Sequence, residues 1–232
     1  MTNKEFQQDE VKQSTCRGIG CLAFGCPDHT VIMSDYTDVT FWDRRYEQAN
    51  IPWDLGGPSP PFARWLRAGH MTPGKMLVLG AGRGHDARLF AQAGFAVTAV
   101  DFSETAVAAM RALTDPNLPL DIVQADMFDL PAGYSDSFDY VLEYTCYCAI
   151  DPARRPDYAD LVQRLLKPGG QFVALAFPLW DKAGGPPFAV SVAEMVRLFS
   201  ERGFHLAHRE QPPDSVGPRQ GNEELIVLVK KS

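Results

Sequence analysis

Short hydrophobic runs alternate with longer stretches of mixed polarity along most of the chain. The runs predict strands over residues 76–80, 95–101, 121–126, 138–145 and 171–177. Between them, apolar residues recur every three or four positions and predict helices over 86–94, 103–113 and 153–166. Short strands that alternate with helices of this length are typical of βαβ units and a parallel sheet.

The hydrophobic pattern changes towards the end of the sequence. A helix is predicted over 191–203, and two strands, 204–210 and 224–231, follow without a helix between them. Two such strands can close a sheet as an antiparallel hairpin. The sequence therefore predicts an α/β fold with a doubly wound, Rossmann-like sheet of seven strands, mostly parallel and ending in an antiparallel hairpin.

The first part of the chain differs from the rest. Residues 1–35 are polar and show no helix or strand period, so we predict a poorly ordered extension, followed by one main domain over 36–232. A start of translation at Met33 is left open as an alternative. The extension holds four soft side chains whose spacing is not that of a standard zinc site, so we predict no metal centre there: Cys16, Cys21, Cys26 and His29.

Capping residues mark the starts of two predicted helices. The first helix of the main domain is predicted over 40–50, with Thr40 as its N-cap, and Ser103 is the predicted cap of the helix over 103–113. A further helix is predicted at 61–67, after prolines that the first turn of a helix tolerates.

Composition narrows the class of protein. The chain has 232 residues, of which 45% are hydrophobic and 22% charged, as in an ordinary globular protein. Its net charge of −7 and its lack of a long basic run argue against nucleic-acid binding. No run of about 18 apolar residues predicts a membrane span, and residues 1–15 lack the apolar core of a signal peptide. Five cysteines, an odd number, suit a reducing compartment, so we expect a cytoplasmic protein. We expect a monomer, because no apolar surface repeat suggests otherwise.

A glycine-rich turn lies between the strand at 76–80 and the helix that follows it. It contains Gly80, Gly82 and Gly84, whose missing side chains allow a sharp turn and the close approach of a ligand. Asp101 ends the next strand, 21 residues after Gly80, where a carboxylate can accept hydrogen bonds from ribose hydroxyls. This combination predicts a nucleoside-cofactor site; the alternative is a tight structural turn.

The spacing of the glycines indicates the kind of cofactor. Dinucleotide sites usually read G-x-G-x-x-G, so that a pyrophosphate rests on the helix N-terminus. This chain reads G-x-G-x-G, which suits a cofactor without phosphates, and no arginine stands beside Asp101 to hold a 2′-phosphate. Asp126, at the end of the third strand, is placed to accept a hydrogen bond from an adenine amino group; alternatively, it caps the next turn.

Seven segments of the chain carry a more specific signature. They read FWDRRYEQANIPWDLGGPSP, LVLGAGRGHDA, AVDFSETAV, ADMFDL, EYTCYCAIDPARRPDYA, LLKPGGQFVALAFP and DKAGGPPFAVSV. Through them the chain resembles, from about Phe41 to Lys230, the thiopurine S-methyltransferase family and, within it, the plant-type thiol/halide methyltransferases. The resemblance implies a class I methyltransferase fold, S-adenosyl-L-methionine as the cofactor and a small-molecule methyl acceptor.

The resemblance also implies which residues hold the cofactor. Trp42 and Trp53 match aromatic residues that close the cofactor pocket, so 36–70 is expected to form a helical cap over the active site. Tyr46 stands where plant-type relatives carry a further Trp, and Tyr144 matches a tyrosine close to the methionine moiety. The residues expected to bind the cofactor are Trp42, Tyr46, Trp53, Gly80, Gly82, Asp101, Phe102, Asp126, Met127 and Tyr144.

On the acceptor side, the resemblance implies catalytic roles for Arg155, Tyr144 and Asp181. Arg155 matches an arginine that faces the substrate, and the loop over 181–188 is expected to line the acceptor pocket. Asp181 is expected either to act as a weak base or to order this loop. Phe177 departs from the tyrosine that plant-type relatives often carry, which puts acceptor choice in question.

Some of these residues have a purely structural alternative. Arg155 would then pair with Asp151 or Asp157 at the start of a helix, and Trp42 and Trp53 would be ordinary core aromatics.

Three further residues of reactive types are given no catalytic role. His85, beside the glycine turn, is expected to pack or to cap a helix, and Cys146 and Cys148 are expected to be inert packing residues.

The chemistry implied is methyl transfer to a small thiol or a similarly soft nucleophile by in-line displacement. A thiol with a pKa of about 8.5 is already partly ionised at neutral pH, so it needs little help from a general base. The chain shows no obvious His–carboxylate pair, which agrees with this. The nearest alternative is a halide, thiocyanate or selenium methyltransferase; an NAD(P)-dependent oxidoreductase and a non-catalytic cofactor-binding protein are further alternatives.

Overall fold

The computed structural model describes residues 36–181 and 183–232. The predicted extension over 1–35, the alternative start at Met33 and the soft side chains between Cys16 and His29 lie outside the described residues. No helix of the described part is both long and apolar enough to cross a membrane.

Seven strands form a single sheet, in the order β3-β2-β1-β4-β5-β7-β6. They are β1 (Lys75–Leu79), β2 (Ala96–Asp101), β3 (Leu120–Gln124), β4 (Phe138–Tyr144), β5 (Leu166–Ala176), β6 (Phe204–Glu210) and β7 (Glu224–Lys230). The first five strands are parallel, and β7 runs antiparallel to both β5 and β6. The predicted fold class is confirmed.

Within residues 36–181 and 183–232, six α-helices accompany the sheet. They are α1 (Val39–Glu47), α2 (Pro60–Arg67), α3 (His85–Gln92), α4 (Glu104–Ala112), α5 (Arg155–Leu165) and α6 (Val192–Ser200). The predicted cap Ser103 is confirmed, because its side chain accepts a hydrogen bond from Ala106 N. The predicted cap Thr40 is wrong: α1 begins one residue earlier, and its N-cap Asp38 accepts a hydrogen bond from the Thr40 amide. Asp38 lies just outside the helix, and its carboxylate reaches this amide.

Strand β5 starts earlier than predicted. The sequence over 167–170 reads as a turn, yet β5 already pairs with β4 at Leu166 opposite Phe138. Pairing then resumes at Gln171 opposite Tyr140. Gly169 has a φ of +77°, a left-handed conformation that lets the backbone bulge between these two pairs without ending the strand.

The core lies on both faces of the sheet. On one face Phe62 of α2 and Phe90 of α3 pack against the strands, and on the other Tyr158 of α5 and Phe199 of α6 do so. Residues along β5 alternate between these two clusters, which is why its apolar run is continuous. Connections leave β1 and β4 towards opposite sides of the sheet, so a crevice opens at the carboxyl ends of these two strands.

Candidate active site

The glycine turn after β1 is shaped by contacts that exclude larger residues. Gly80 has a φ of +59°, and a Cβ on it would lie 2.6 Å from Cys146 Sγ. Gly82 has a φ of +54°, and a Cβ there would lie 3.0 Å from the Tyr46 hydroxyl. Positive φ favours glycine, so both positions need it for conformation as well as for space. The turn therefore packs closely against Cys146 and Tyr46.

Asp101 at the end of β2 is held directly beside this turn. Its Oδ2 accepts a hydrogen bond from Gly82 N at 2.8 Å, and its Oδ1 accepts one from Ser103 N at 3.0 Å. Burial raises the pKa of Asp101, although the backbone N–H groups that it accepts from oppose the shift. Each oxygen keeps a further lone pair, so the carboxylate is fixed in place and can still accept hydrogen bonds from a ribose.

The predicted adenine side follows β3. Asp126 is exposed, and its Oδ1 accepts a hydrogen bond from Phe128 N at 2.9 Å, so it caps the short 3₁₀ turn Met127–Asp129. This is the structural role that the sequence left open. Phe102, half-buried, follows Asp101 directly. Adenine contacts by Asp126, Met127 and Phe102 remain a prediction.

A cleft that is open to solvent lies at the carboxyl ends of β1 and β4. Of the residues predicted from sequence, it brings together Trp53, Gly80, Gly82 and Tyr144. The remaining lining consists of Asp54, Leu55, Gly57, Val78, Leu79, Ala81, Arg83, His85, Asp86, Ala87, Leu142 and Thr145.

Helix α1 is fastened to the start of α4, close to Asp101. Asp43 Oδ1 accepts hydrogen bonds from Ser103 Oγ at 2.5 Å and from Thr105 N at 3.2 Å. The Trp42 and Trp53 rings meet edge to face with centroids 5.4 Å apart. Both tryptophans are half-buried and belong to neither core cluster, so the alternative that they are ordinary core aromatics is wrong.

Tyr46 belongs to the same aromatic group as Trp42 and Trp53. Its hydroxyl accepts a hydrogen bond from Trp53 Nε1 at 3.4 Å, and its ring meets the Trp53 ring edge to face. Burial raises the pKa of Tyr46, and the nearby Asp101 carboxylate adds to the effect. The hydroxyl therefore stays protonated and acts as a packing and hydrogen-bonding group beside the glycine turn.

Asp54 ties the segment after α1 to the glycine turn. Its Oδ1 lies 3.1 Å from His85 Nε2, and its Oδ2 lies 3.2 Å from Arg83 Nη1. The other ring nitrogen of His85 lies 2.9 Å from Arg88 Nη2, and burial lowers the pKa of His85. A neutral ring can donate to Asp54 and accept from Arg88 at the same time. His85 thus has the packing role expected from the sequence, but it does not cap α3, whose N-cap is Gly84.

Tyr144 is locked by two residues that sequence reasoning missed. Its hydroxyl donates to Glu223 Oε1 at 2.6 Å and accepts a hydrogen bond from Arg219 Nη1. Arg219 Nη2 also donates to Trp53 O at 2.8 Å, so the connection between β6 and β7 is bound to the segment after α1. Both Arg219 and Glu223 are buried. Burial raises the pKa of Tyr144, so we assign its hydroxyl an orienting role and no proton transfer.

Arg155 is a buried cation at the start of α5, with 5% of its surface exposed. Its Nη2 donates to Ala189 O at 2.9 Å, its guanidinium carbon lies 4.7 Å from the centre of the Tyr147 ring, and its Nε has no hydrogen-bond partner. Within the described residues, no carboxylate lies within 4.0 Å of it.

The alternative ion pairs of Arg155 are therefore wrong. Asp157 pairs with Arg154 instead, at 3.6 Å, because Arg154 points along the exposed side of the same turn. Asp151 accepts hydrogen bonds from the Tyr36 hydroxyl at 3.0 Å and from Ala153 N at 2.9 Å.

The segment between β5 and α6 lies against the same region. Phe188 N donates to Cys148 O at 2.7 Å, and the Phe188 ring meets the Tyr36 ring edge to face at 5.2 Å. Asp181 is exposed in this segment and outside the cleft lining, so its catalytic role remains a prediction. Cys146 and Cys148 are buried free thiols, and burial raises the pKa of each, as expected for packing residues.

Comparison with known proteins agrees with this geometry. The family described as thiopurine S-methyltransferase matches residues 37–231. A relative from Arabidopsis thaliana named "Probable thiol methyltransferase 2" is 35% identical over 194 residues, which cover 82% of this chain and 85% of the relative. Thiocyanate methyltransferase 1 of Brassica oleracea is 32% identical, with 79% of this chain and 82% of the relative covered.

Solved structures share the fold. The 1,6-didemethyltoxoflavin-N1-methyltransferase of Burkholderia thailandensis superposes with a TM-score of 0.65 at 21% identity, covering 91% of this chain and 94% of that one. A TehB-like methyltransferase from Corynebacterium glutamicum superposes with a TM-score of 0.57 at 17% identity, covering 84% and 98%. At these identities the likeness concerns the fold alone.

Proposed function

This chain belongs to the thiopurine S-methyltransferase family, and we propose that it transfers a methyl group from S-adenosyl-L-methionine to a small thiol or a similarly soft nucleophile. The observation that supports this choice of acceptor is the environment of Arg155, which is buried and has no carboxylate partner among the described residues. A guanidinium that is buried without a carboxylate partner is costly, unless an anion from outside the chain completes its contacts. A thiolate is such an anion.

The residues around the glycine turn fit the cofactor. Gly80 and Gly82 allow the tight turn that follows β1, and Asp101 is fixed beside this turn with lone pairs that can still accept hydrogen bonds. S-Adenosyl-L-methionine, when bound, supplies an electrophilic methyl group on a sulfonium sulfur. The faces of Trp42, Trp53 and Tyr144 can stabilise a cation by about 0.5–2 kcal/mol each. We therefore assign residues 36–70 the role of a cap that excludes water from the reacting atoms.

The protein's part in the displacement is to hold and desolvate the nucleophile. Arg155 favours the ionised form of a thiol near it, because an opposite charge lowers a pKa. Holding the nucleophile in line with the leaving sulfur can itself lower the barrier by roughly 7–11 kcal/mol. No strong general base is needed, and Asp181 is proposed only as a residue of the acceptor loop or a weak base.

Thiocyanate or a halide is the second candidate acceptor, and a selenium species belongs with them. The same unpaired guanidinium of Arg155 favours any small soft anion, and relatives at 31–32% identity are named thiocyanate methyltransferases. We infer a monomeric, cytoplasmic enzyme with no nucleic-acid or membrane partner. The free thiols of Cys146 and Cys148 and the net charge of −7 support this inference.

The test is a competition between acceptor classes. Purified protein is incubated with S-adenosyl-L-methionine and hydrogen sulfide, an alkyl thiol, an aryl thiol, a thiopurine, thiocyanate, iodide or selenite, and methylated products are quantified by mass spectrometry. We expect methylated thiols at the highest kcat/KM. Halide or thiocyanate products in clear excess would identify the second candidate class as the preferred acceptor. Cofactor binding without any product would contradict methyl transfer to this class of acceptor.

A further inference from the structure

Two carboxylates line the cleft, and their surroundings differ. Asp54 lies between two basic side chains, with Arg83 at 3.2 Å and His85 at 3.1 Å. Asp86, on the first turn of α3, accepts a hydrogen bond from Ser59 N at 2.7 Å. Among the described residues it has no cation within ion-pair distance; Arg219 and Arg88 act on it only through longer-range attraction. Asp86 is thus the cleft carboxylate whose charge is left uncompensated.

This arrangement has a cost for the protein without ligand. Burial raises the pKa of Asp86 to about 6, even though the Ser59 amide opposes the shift. Asp86 is half-buried, and a carboxylate that loses part of its hydration without an ion-pair partner costs free energy. A site that retains one is suited to a ligand that brings the opposite charge.

The position of Asp86 selects which cation of the cofactor it meets. The cleft residues beside it, Val78, Ala87 and Leu142, belong to or adjoin the core cluster on the α2/α3 face of the sheet. Arg155 packs on Tyr147, which belongs to the cluster on the opposite, α5/α6 face. A sulfonium must face the acceptor, and hence the Arg155 side. The other cation of the cofactor, the α-ammonium of its methionine part, then lies towards the α2/α3 face.

We propose that Asp86 binds the α-ammonium group of the methionine moiety of S-adenosyl-L-methionine, with Ser59 N holding the carboxylate in place. This inference rests on the proposed function for the identity of the cofactor. It makes Asp86 a binding residue that fixes the amino-acid end, while Asp101 fixes the ribose. Between these two carboxylates the cofactor is aligned along the glycine turn, and its sulfur is directed to the acceptor side.

A competing explanation is that Asp86 only stabilises α3, since an acid in the first turn of a helix is favourable. The two explanations differ in ligand dependence. A helix-stabilising residue affects every ligand of the cleft alike. An ammonium-binding residue discriminates between ligands with and without the amino group.

The experiment is calorimetric titration of the full chain with two ligands. S-Adenosylhomocysteine carries the amino-acid group, and 5′-methylthioadenosine has the same nucleoside and sulfur but lacks it. For Asp86→Asn we expect a roughly 10- to 100-fold loss of S-adenosylhomocysteine affinity, because a hydrogen bond between charged groups is lost. The affinity for 5′-methylthioadenosine should change by less than about twofold. Asp54→Asn is the matched variant: it removes the paired cleft carboxylate, and should weaken both ligands by similar factors.

Equal losses for both ligands in Asp86→Asn, or no loss for either, would overturn the proposal. If Asp86→Asn does not fold, Asp86→Ser is titrated in the same way, because its hydroxyl can still accept from Ser59 N. A deaminated analogue of S-adenosylhomocysteine completes the cycle: it should bind the wild type roughly 10- to 100-fold more weakly, and should bind Asp86→Asn no more weakly than S-adenosylhomocysteine does. Failure of the wild type to bind S-adenosylhomocysteine would instead contradict the proposed function.

Discussion

The proposed nucleoside side and the proposed acceptor side of the active site are built in different ways. On the nucleoside side, Asp101 is held by the amides of Gly82 and Ser103, and all three positions belong to the β1–α3–β2–α4 unit. On the acceptor side, Arg155 depends on Ala189 O and on the Tyr147 ring, which come from separate connections between elements. The first side is held by backbone amides in the turns after β1 and β2, and the second by one backbone carbonyl and one aromatic ring from two loops.

This difference separates what the fold fixes from what it leaves variable. Backbone amides are present whatever the side chains are, so the ribose position persists through sequence change. Loop side chains vary without disturbing the sheet, so acceptor choice can change while the cofactor stays in place. We therefore expect mutations on the nucleoside side to lower cofactor affinity, and mutations on the acceptor side to lower kcat/KM for the thiol.

The largest expected effect is on the nucleoside side. Asp101→Ala removes the proposed ribose acceptor and leaves the amides of Gly82 and Ser103 without a partner, so we expect S-adenosylhomocysteine affinity to fall at least about 100-fold. Calorimetric titration measures it. Asp129→Ala, in the exposed turn after β3, should leave the affinity unchanged. Retained affinity in Asp101→Ala would show that the ribose is held elsewhere.

A smaller effect is expected on the acceptor side. Arg155→Met keeps an unbranched apolar stem but removes the guanidinium group and its charge, and we expect kcat/KM for a small thiol to fall roughly 10- to 100-fold. S-Adenosylhomocysteine affinity should stay within about twofold of the wild type, because the cofactor contacts are elsewhere. Initial-rate kinetics over a range of thiol concentrations give the first value, and titration gives the second.

Arg154→Met is the matched control for that comparison. Arg154 is the neighbouring residue, exposed and paired with Asp157, so its loss should change neither value by more than about twofold. The separation of the two sides would be refuted by an Arg155→Met variant that loses cofactor affinity as strongly as thiol turnover.

The smallest expected effect is at Phe177. Its ring lies 4.8 Å from the Arg219 guanidinium carbon and 5.3 Å from the Trp180 ring. Phe177→Tyr adds a hydroxyl to a ring that is only half-buried, so we expect kcat/KM for any one acceptor to change by less than about threefold. The value to measure is the ratio of kcat/KM for an aryl thiol to kcat/KM for thiocyanate. A change beyond tenfold in that ratio would make this one position the determinant of acceptor choice.

The same division explains what the sequence could predict. The glycine turn, Asp101 and the Ser103 cap depend on neighbours close in the chain, so their spacing alone indicated their roles. Arg219 was missed because its partner Trp53 O lies 166 positions away, and its own surroundings read as an ordinary Pro- and Gly-rich connection. Asp86 was missed because a lone acid at a helix start is common, and only the unequal pairing of the two cleft carboxylates distinguishes it.

The place of β7 has a consequence for synthesis of the protein. β7 is the last strand in chain order, yet it lies between β5 and β6. While a ribosome is still making the chain, β5 therefore has an open edge and β6 has no partner, although the strands of the nucleoside side are already complete. Open strand edges invite association with other chains. A nascent chain that stalls before Glu224 is thus expected to be prone to aggregation, because the sheet is completed only when β7 inserts between β5 and β6.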